Sequence, residues 1–205
     1  MTVTATMGSI LPSRILPVCG MVDTIHLNVS SIPLRCPKVA GYVTGTPEII
    51  WTQGDWNRFR GAKITVNQQN NSDPLLGNVL DIEPGAWTIP AAAEACITRK
   101  AHGRECNLYL SQGEITASDP SGENITALVN ALLSKGIKGA NLCVANYNLS
   151  ESQAAAMVSA ASGPFPIVWV QWASPGSNPF TILPGSDMTL AEANCDLSVT
   201  AASWP

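Results

Sequence analysis

Short apolar segments recur along the whole chain, and turn-forming residues or stretches with helical spacing separate them. Several are near-continuous in Val, Ile, Leu and Ala, a pattern typical of strands that are buried on both faces. Eight segments have the length and composition of strands: Met21–Val29, Lys38–Thr44, Lys63–Asn67, Asn78–Glu83, Asn107–Gln112, Ala140–Asn146, Pro166–Gln171 and Cys195–Thr200.

Helical patterns fall between some of these strands. Thr52–Asp55 and Ser150–Gln153 both have the form of a capping box, which marks the start of a helix. Thr88–His102 has a proline near its first turn and a glycine directly after it, and apolar residues with helical spacing run from Ile125 to Leu133. A weaker helical turn is predicted at Leu190–Ala193.

The alternation of strands and helices predicts parallel strands joined by right-handed crossovers. Eight strands favour a closed barrel, but 205 residues are fewer than the roughly 250 of a standard eightfold barrel. Helical spacing is missing from residues 30–37 and 68–77. We therefore predict an α/β fold: an irregular (β/α)8-type barrel over residues 18–205, with several helices reduced to loops and an N-terminal arm at residues 1–17. An open doubly wound sheet is the alternative, although no glycine-rich phosphate loop follows the first strand.

Composition narrows the classes of partner. Charged residues make up 13% of the chain, the formal net charge is −4, and Lys and Arg do not cluster. These features argue against nucleic acid and anionic membranes as partners. No apolar run approaches the roughly 18 residues of a membrane helix, and the N-terminus lacks the pattern of a signal peptide. A weakly charged polar surface suits contact with sugars or with other subunits.

No cofactor or metal is predicted from the sequence. Gly-x-Ser-x-Gly, Walker A and HExxH motifs are absent, and no histidine lies near the cysteines at zinc-binding spacing. The six cysteines are interpreted as buried thiols of a reducing compartment. Pairing of Cys19 with Cys36, or of Cys96 with Cys106, is the alternative in an oxidising medium.

The strongest candidate for chemistry is a pair of acids at the end of the fourth predicted strand. Asp81 and Glu83 are two residues apart, so they share one face of a strand that Pro84 and Gly85 terminate. Paired carboxyl groups suit the cleavage of glycosidic bonds, in which one protonates the leaving oxygen and the other acts on water or on positive charge. The alternative is a pair of solvated acids, because this spacing is common by chance.

Two further acids occur in the first and last predicted strands. These strands, which contain Asp23 and Asp196, are neighbours in a closed barrel, so both acids are expected to approach Asp81 and Glu83 across its mouth. A carboxylate within an apolar strand is costly unless it is partnered. A structural aspartate bonded to backbone or amide groups is therefore an equal alternative to a functional one.

Aromatic and amide side chains follow other strand ends, and rings and amides of this kind suit a saccharide cleft. Core packing is the commoner fate of such rings. His26, near the first strand, is interpreted as a histidine with a structural partner. The candidate substrate contacts are Trp87, Tyr109, Tyr147, Gln171 and Trp172.

The order of several segments resembles the glycoside-hydrolase-like barrels related to family 25 lysozymes, which occur in actinobacteria and in the phages that infect them. These segments are GYVTG, WTQGDWNRF, NVLDIEPGAWT, CNLYLSQGEI, GANLCVANYNLS, VWVQWASP and CDLSV. The resemblance covers the chain from Leu16 to about Trp204. It implies an irregular eight-stranded barrel with its site at the carboxyl ends of the strands.

The resemblance also implies roles for the acids and a biological setting. Glu83 would be the proton donor, Asp81 and Asp196 would position water or substrate or stabilise positive charge, and Asp23 would support the floor of the site. Gln171-Trp172 matches a Gln-aromatic pair on a late strand. The expected partners are bacterial cell-wall polysaccharide and other virion subunits, in a homo-oligomeric phage-tail assembly. Two functions stay open: a peptidoglycan muramidase-like enzyme, and a catalytically silent virion subunit that uses its barrel for docking or carbohydrate binding.

Overall fold

The computed structural model describes residues 18–110 and 125–204. The predicted arm at residues 1–17 and the end of the fifth predicted strand lie outside the described residues. The strands are β1 Val18–Asp23, β2 Lys38–Tyr42, β3 Ala62–Asn67, β4 Val79–Ile82, β5 Asn107–Leu110, β6 Asn141–Ala145, β7 Ile167–Ala173 and β8 Asp196–Ala201. The helices are a 3-10 helix at His26–Ser31, α1 Gln53–Asn57, α2 Ile89–Ala101, α3 Ile125–Ser134, α4 Glu151–Ser159 and α5 Leu190–Ala193.

The eight strands close into a barrel in chain order, with β8 hydrogen-bonded to both β7 and β1. This confirms the predicted irregular eight-stranded α/β barrel with several helices reduced to loops. The strands from β1 to β7 pair in parallel, as the sequence predicted.

The last strand departs from that prediction, because β8 is antiparallel to both of its neighbours. The chain leaves β7 at Ala173 and stays at the same end of the barrel through α5, so β8 must run back in the opposite direction. As a result, the first residue of β8, Asp196, lies opposite the last residue of β1, Asp23. Both acids therefore lie at the mouth formed by the carboxyl ends of the other strands.

The first strand also differs from the prediction, since it ends at Asp23 and does not continue to Val29. Residues His26–Ser31 form a 3-10 helix, in which the Asn28 N–H donates to the Ile25 carbonyl at 3.1 Å. Asn and Ser favour turns because their side chains compete for backbone hydrogen bonds. Val29 packs beneath this turn and is buried, whereas Leu27 is exposed.

Local capping explains where the short helices begin. The Thr52 side chain accepts from the Asp55 N–H, while the Asp55 carboxylate accepts from the Thr52 N–H at 2.7 Å. Ser150 and Gln153 form the same reciprocal pair at the start of α4. Both capping boxes satisfy backbone donors that a helix start otherwise leaves exposed.

The alternation of side chains in β4 separates the core from the mouth. Leu80 and Ile82 are fully buried against α2 and α3, whereas Asp81 between them points into the barrel. A turn with Gly85 at φ 88° follows directly, and the Ala86 N–H donates to the Glu83 carbonyl at 2.9 Å. Glycine adopts this left-handed conformation without strain, so the strand ends where the Pro-Gly sequence predicted.

The opposite end of the barrel is closed by Trp204 and the side chain of Lys38. Its ammonium group donates to the carbonyls of Ala201, at 3.0 Å, and of Trp204. The Trp204 ring contacts that of Trp169, with centroids 6.0 Å apart. Because this end is filled with side chains, the interior is accessible at the mouth that carries the acids.

Candidate active site

A cavity of about 350 Å³ opens at the carboxyl ends of the strands. Its lining includes three acids from three strands, Asp23, Asp81 and Asp196. Among the described residues that line it, none is Lys, Arg or His. The cavity is at the small end of the range for small-molecule sites, and the titratable residues that line it are acids and tyrosines.

Gln171 is the centre of the hydrogen bonds in this cavity. Its Nε2 donates to Asp23 Oδ1 at 3.1 Å, to Asp23 Oδ2 at 3.2 Å, and to Asp196 Oδ2 at 2.9 Å. Its Oε1 accepts from the hydroxyl of Tyr147 at 3.0 Å and from that of Tyr109. One amide therefore links two carboxyl groups on one side and two phenols on the other.

The two bridged acids are close enough to repel each other. Because both bond to the same nitrogen, Asp23 Oδ1 and Asp196 Oδ2 lie no more than about 6 Å apart, within the range in which like charges disfavour ionisation. Burial and the charge of Asp196 raise the pKa of Asp23 well above its usual value, against the opposing effect of its bond from Gln171. Burial and the charge of Glu83 raise the pKa of Asp196 to about 7.

Glu83 lies at the edge of the site and is not part of the cavity lining. It follows the last residue of β4 and is half-buried. Its charge still acts on the cavity, since it contributes to raising the pKa values of Asp196 and of the three tyrosines at the mouth. The structure thus brings the four predicted acids to one end of the barrel, three of them into a common cavity.

The ends of β1 and β8 are held together next to the acids. The Thr24 hydroxyl donates to the Asn194 carbonyl at 2.8 Å, and the Trp51 indole N–H donates to the Thr24 carbonyl at 2.8 Å. Asn194 has φ 50°, a left-handed conformation that asparagine tolerates better than most residues. This residue turns the chain from α5 into β8 and so places Asp196.

The predicted aromatic and amide contacts divide into two groups. Tyr109 and Gln171 line the cavity, and the hydroxyl of Tyr147 reaches it through its bond to Gln171. Trp87 is not at the cavity: it is 3% exposed, packs with α2 in the core, and donates from its indole nitrogen to Asn67 at 3.3 Å. A ring buried in this way has no face for a sugar, so Trp87 is removed from the candidate contacts.

Trp172 also points away from the acids. It neighbours Gln171 on β7, so its side chain lies on the outer face of the barrel. There it lines a second cavity of about 810 Å³, together with Leu34 and Ile182. The predicted Gln-aromatic pair is therefore split between the inside and the outside of the barrel wall.

Sequence reasoning missed Tyr42 and Trp169, which also line the cavity. Tyr42 is the last residue of β2, two residues after the inward-facing Ala40, so strand parity could have found it. Burial and the surrounding acids, Asp81 first, raise the pKa of Tyr42. Its hydroxyl therefore stays protonated, as a hydrogen-bond donor.

The predicted histidine has a structural partner, and the described cysteines are free. His26 Nδ1 lies 2.7 Å from Asp55 Oδ2, in the loop region outside the barrel. Burial acts to raise the pKa of Asp55, but hydrogen bonds from Thr52 and the contact with His26 outweigh it and lower the pKa. The five cysteines whose side chains the structure describes are buried free thiols: Cys36, Cys96, Cys106, Cys143 and Cys195.

Within the described parts of the chain, no three His, Cys, Asp or Glu side chains are placed to hold a metal ion. No helix of those same parts is long and apolar enough to cross a membrane.

The chain matches no family model, no curated protein and no solved structure.

Proposed function

We propose that the protein is a glycoside-hydrolase-like barrel that acts on bacterial cell-wall polysaccharide. The observation that carries this proposal is the convergence of Asp23, Asp81 and Asp196 in one cavity, with the charge of Glu83 at its edge. Cleavage of a glycosidic bond needs one carboxyl group that holds a proton and another that is ionised. A buried cluster of acids supplies both forms near neutral pH, because its members cannot all ionise together.

In this proposal Glu83 donates the proton to the leaving oxygen, as the sequence resemblance implies. Asp81 and the Asp23–Asp196 pair face the sugar ring and stabilise the positive charge that develops on it. The hydroxyls of Tyr42 and Tyr147 remain protonated and bond sugar hydroxyls at the mouth. The bond to the leaving oxygen breaks as Glu83 protonates it, and the water that adds to the ring carbon gives its proton to the carboxylate of Asp81. The proposed reaction therefore needs only water as a second reactant.

The test is release of reducing sugar from purified actinobacterial peptidoglycan. Wild-type protein should release it, and Glu83→Gln should reduce the rate at least about 100-fold, the lower range for loss of a general acid. Glu94→Gln is the matched control, because Glu94 is an exposed residue on the outer surface of α2, where its partner is Lys135. Equal rates for Glu83→Gln and wild type would remove Glu83 as the proton donor.

An aryl glycoside separates proton donation from general damage to the site. A nitrophenolate leaves without needing a proton, so Glu83→Gln should retain most of its activity on a nitrophenyl glycoside while losing it on peptidoglycan. Asp196→Asn should lose activity on both substrates, because charge stabilisation is needed whatever the leaving group. The same loss for Glu83→Gln on both substrates would contradict the assigned role.

A second candidate function is a catalytically silent subunit that binds polysaccharide or docks onto other proteins. It is favoured by the hydrogen bonds of Gln171, which satisfy Asp23 and Asp196 within the protein, as in a structural network. Sedimentation with insoluble cell walls tests this alternative. Binding that Tyr147→Phe weakens, with no soluble product from wild type, would favour the silent module over the enzyme.

The proposed setting is a phage virion, with assembly of several copies in the tail. The sequence resemblance supports this setting, and the weakly charged polar surface is compatible with subunit contacts. Light scattering of the full chain should give a mass that is at least twice the 21.6 kDa of one chain. A monomer at all concentrations would argue against the homo-oligomer.

A further inference from the structure

Gln171 contacts both Asp23 and Asp196 with one end of its amide and two tyrosine hydroxyls with the other. It is 4% exposed, faces into the barrel and lies on β7, which pairs with β8, the strand of Asp196; β8 in turn pairs with β1, the strand of Asp23. An amide of this kind has two N–H donors and one carbonyl acceptor with two lone pairs. The described contacts use both donors on carboxyl groups and both lone pairs on phenols.

The orientation of this amide is fixed from both sides. Turning it over would place Oε1 against the three carboxyl oxygens of Asp23 and Asp196 that now accept from Nε2, and Nε2 against the tyrosine hydroxyls. The hydroxyls of Tyr109 and Tyr147 both donate to Oε1 in the observed orientation. The observed orientation pairs each donor of this buried amide with an acceptor and its acceptor with two donors, so it is strongly favoured.

We propose that Gln171 is the positioning residue of the site, and that its amide holds Asp23 and Asp196 as one pair that shares a single proton. Tyr109 and Tyr147 set the orientation of that amide. One N–H to each carboxyl group keeps them at a fixed separation and stabilises a single negative charge across both. The inference deepens the proposed function. A role of this pair in catalysis rests on that function, but the shared proton itself can be measured without substrate.

Several other groups face this pair and affect its charge. Asp81 faces it from β4 and Glu83 from the turn after β4, and both are acids that favour retention of the proton. The phenols come from β2, β5 and the segment after β6, and the Cys195 thiol lies next to Asp196 in the chain. Among the described residues that line the cavity there is no basic side chain to offset the acids. The groups that face the pair are therefore Asp81, Glu83, Tyr42, Tyr109, Tyr147 and Cys195.

The test is titration of the carboxyl carbons of Asp23 and Asp196 by carbon-13 NMR. In wild type the two resonances should move together in two linked steps, as expected for coupled sites, with the lower step near neutral pH and the upper step above it. Gln171→Met, which keeps length but removes the donors, should raise the upper step by about one pH unit or more, a tenfold gain in proton affinity. Tyr147→Phe, which frees one side of the amide, should shift it in the same direction by a smaller amount.

A second substitution at the same position keeps the inference testable if Gln171→Met does not fold. Gln171→Glu keeps the shape of the side chain but replaces its donors with a third carboxyl group, so the site should bind one more proton at neutral pH than wild type. Independent titration of Asp23 and Asp196, or an unmoved upper step in folded Gln171→Met, would overturn the inference. If Gln171→Met is unfolded, an unmoved step in Tyr147→Phe together with no added proton in Gln171→Glu would overturn it.

These outcomes also separate the inference from the proposed function. Coupled titration that shifts as expected, in a protein that releases no sugar, would leave Gln171 as the positioning residue and reject the enzyme. Sugar release by a protein whose two acids titrate independently would retain the enzyme and reject the shared proton.

Discussion

Gln171 Nε2 donates to Asp196 Oδ2 at 2.9 Å, joining the end of β7 to the start of β8. The two residues are 25 positions apart in the chain. Their contact depends on the reversed direction of β8, which places its first residue at the mouth of the barrel. A parallel β8 would have placed Asp196 at the opposite, closed end.

The stability of the protein should depend on the protonation of Asp196. Its pKa is raised from 3.8 to about 7 in the folded state, so the folded protein keeps a proton that the unfolded chain releases in this range. The free energy of unfolding should therefore carry a contribution from Asp196 that is fully present below about pH 4 and decreases as the pH rises to about 7. For one site the slope approaches about 1.4 kcal/mol per pH unit.

Urea denaturation of wild type and Asp196→Asn across this pH range measures that contribution. The variant has no proton to lose, so its stability relative to wild type should increase steadily from about pH 4 to about pH 7. Asp187→Asn is the control, because Asp187 is exposed and away from the cavity, and its curve should run parallel to that of wild type. Parallel curves for Asp196→Asn and wild type would contradict the shifted pKa.

Gly41 should not tolerate a side chain, because Trp51 packs directly on it. A Cβ at this position would lie 2.3 Å from Trp51 Cε2, and Trp51 is 3% exposed. Gly41→Ala should therefore destabilise the protein by about 1–3 kcal/mol, the usual cost of overpacking. It should also displace the Trp51 indole from the Thr24 carbonyl beside the site, which a change in tryptophan fluorescence would report.

Gly20→Ala is the matched control on the same wall of the barrel. A Cβ at Gly20 meets no atom within 4 Å. Alanine in a strand interior is better than glycine by about 0.5–1 kcal/mol, so this variant should be neutral or slightly stabilised in urea denaturation. Equal losses for both glycine variants would show that contact with Trp51 is not the cause.

Arg99 should be essential for the loop between β3 and β4. It is 1% exposed, and its guanidinium donates to the carbonyls of Pro74, Leu76, Gly77 and Asn78 at 2.8 to 3.1 Å. Arg99→Met should lower the free energy of unfolding by about 3 kcal/mol, because it removes this charged donor from all four carbonyls. The Gly77 carbonyl keeps a second charged donor, from Arg104 at 3.0 Å. Arg99→Lys should restore less than half of the free energy of unfolding that Arg99→Met loses, because an ammonium group lacks the planar fork of donors.

Lys100→Met serves as the control for Arg99, because Lys100 is the next residue on α2 and is exposed. Its effect on the melting temperature should be close to zero, as for most surface substitutions. A loss in Lys100→Met similar to that in Arg99→Met would indicate damage to α2 and not to the loop.

Features set by neighbouring residues could be predicted from the sequence. The capping boxes at Thr52 and Ser150 depend on residues three positions apart, and both are present in the structure. The alternation of Leu80, Asp81 and Ile82 between the two faces of β4 follows from strand geometry alone. The eight strands could be counted for the same reason, because each is a short apolar segment between turn signals.

Features set by closure of the barrel could not be predicted in this way. The direction of β8 depends on where the segment from Ala173 to Asp196 runs, and an apolar pattern has no direction. Trp87 could be assigned to the core only once α2 was seen to pack over it. The bridge from Gln171 to Asp23 joins residues 148 positions apart, and only the closed ring of strands brings them together.

The most direct test of the central claim is a crystal structure of Glu83→Gln bound to a soluble cell-wall oligosaccharide. The account predicts that a sugar ring lies in the cavity between Asp81 and the Asp23–Asp196 pair, with its hydroxyls within hydrogen-bond distance of Tyr42 or Tyr147. Sugar bound only in the outer cavity beside Trp172, or an empty mouth at saturating oligosaccharide, would contradict it.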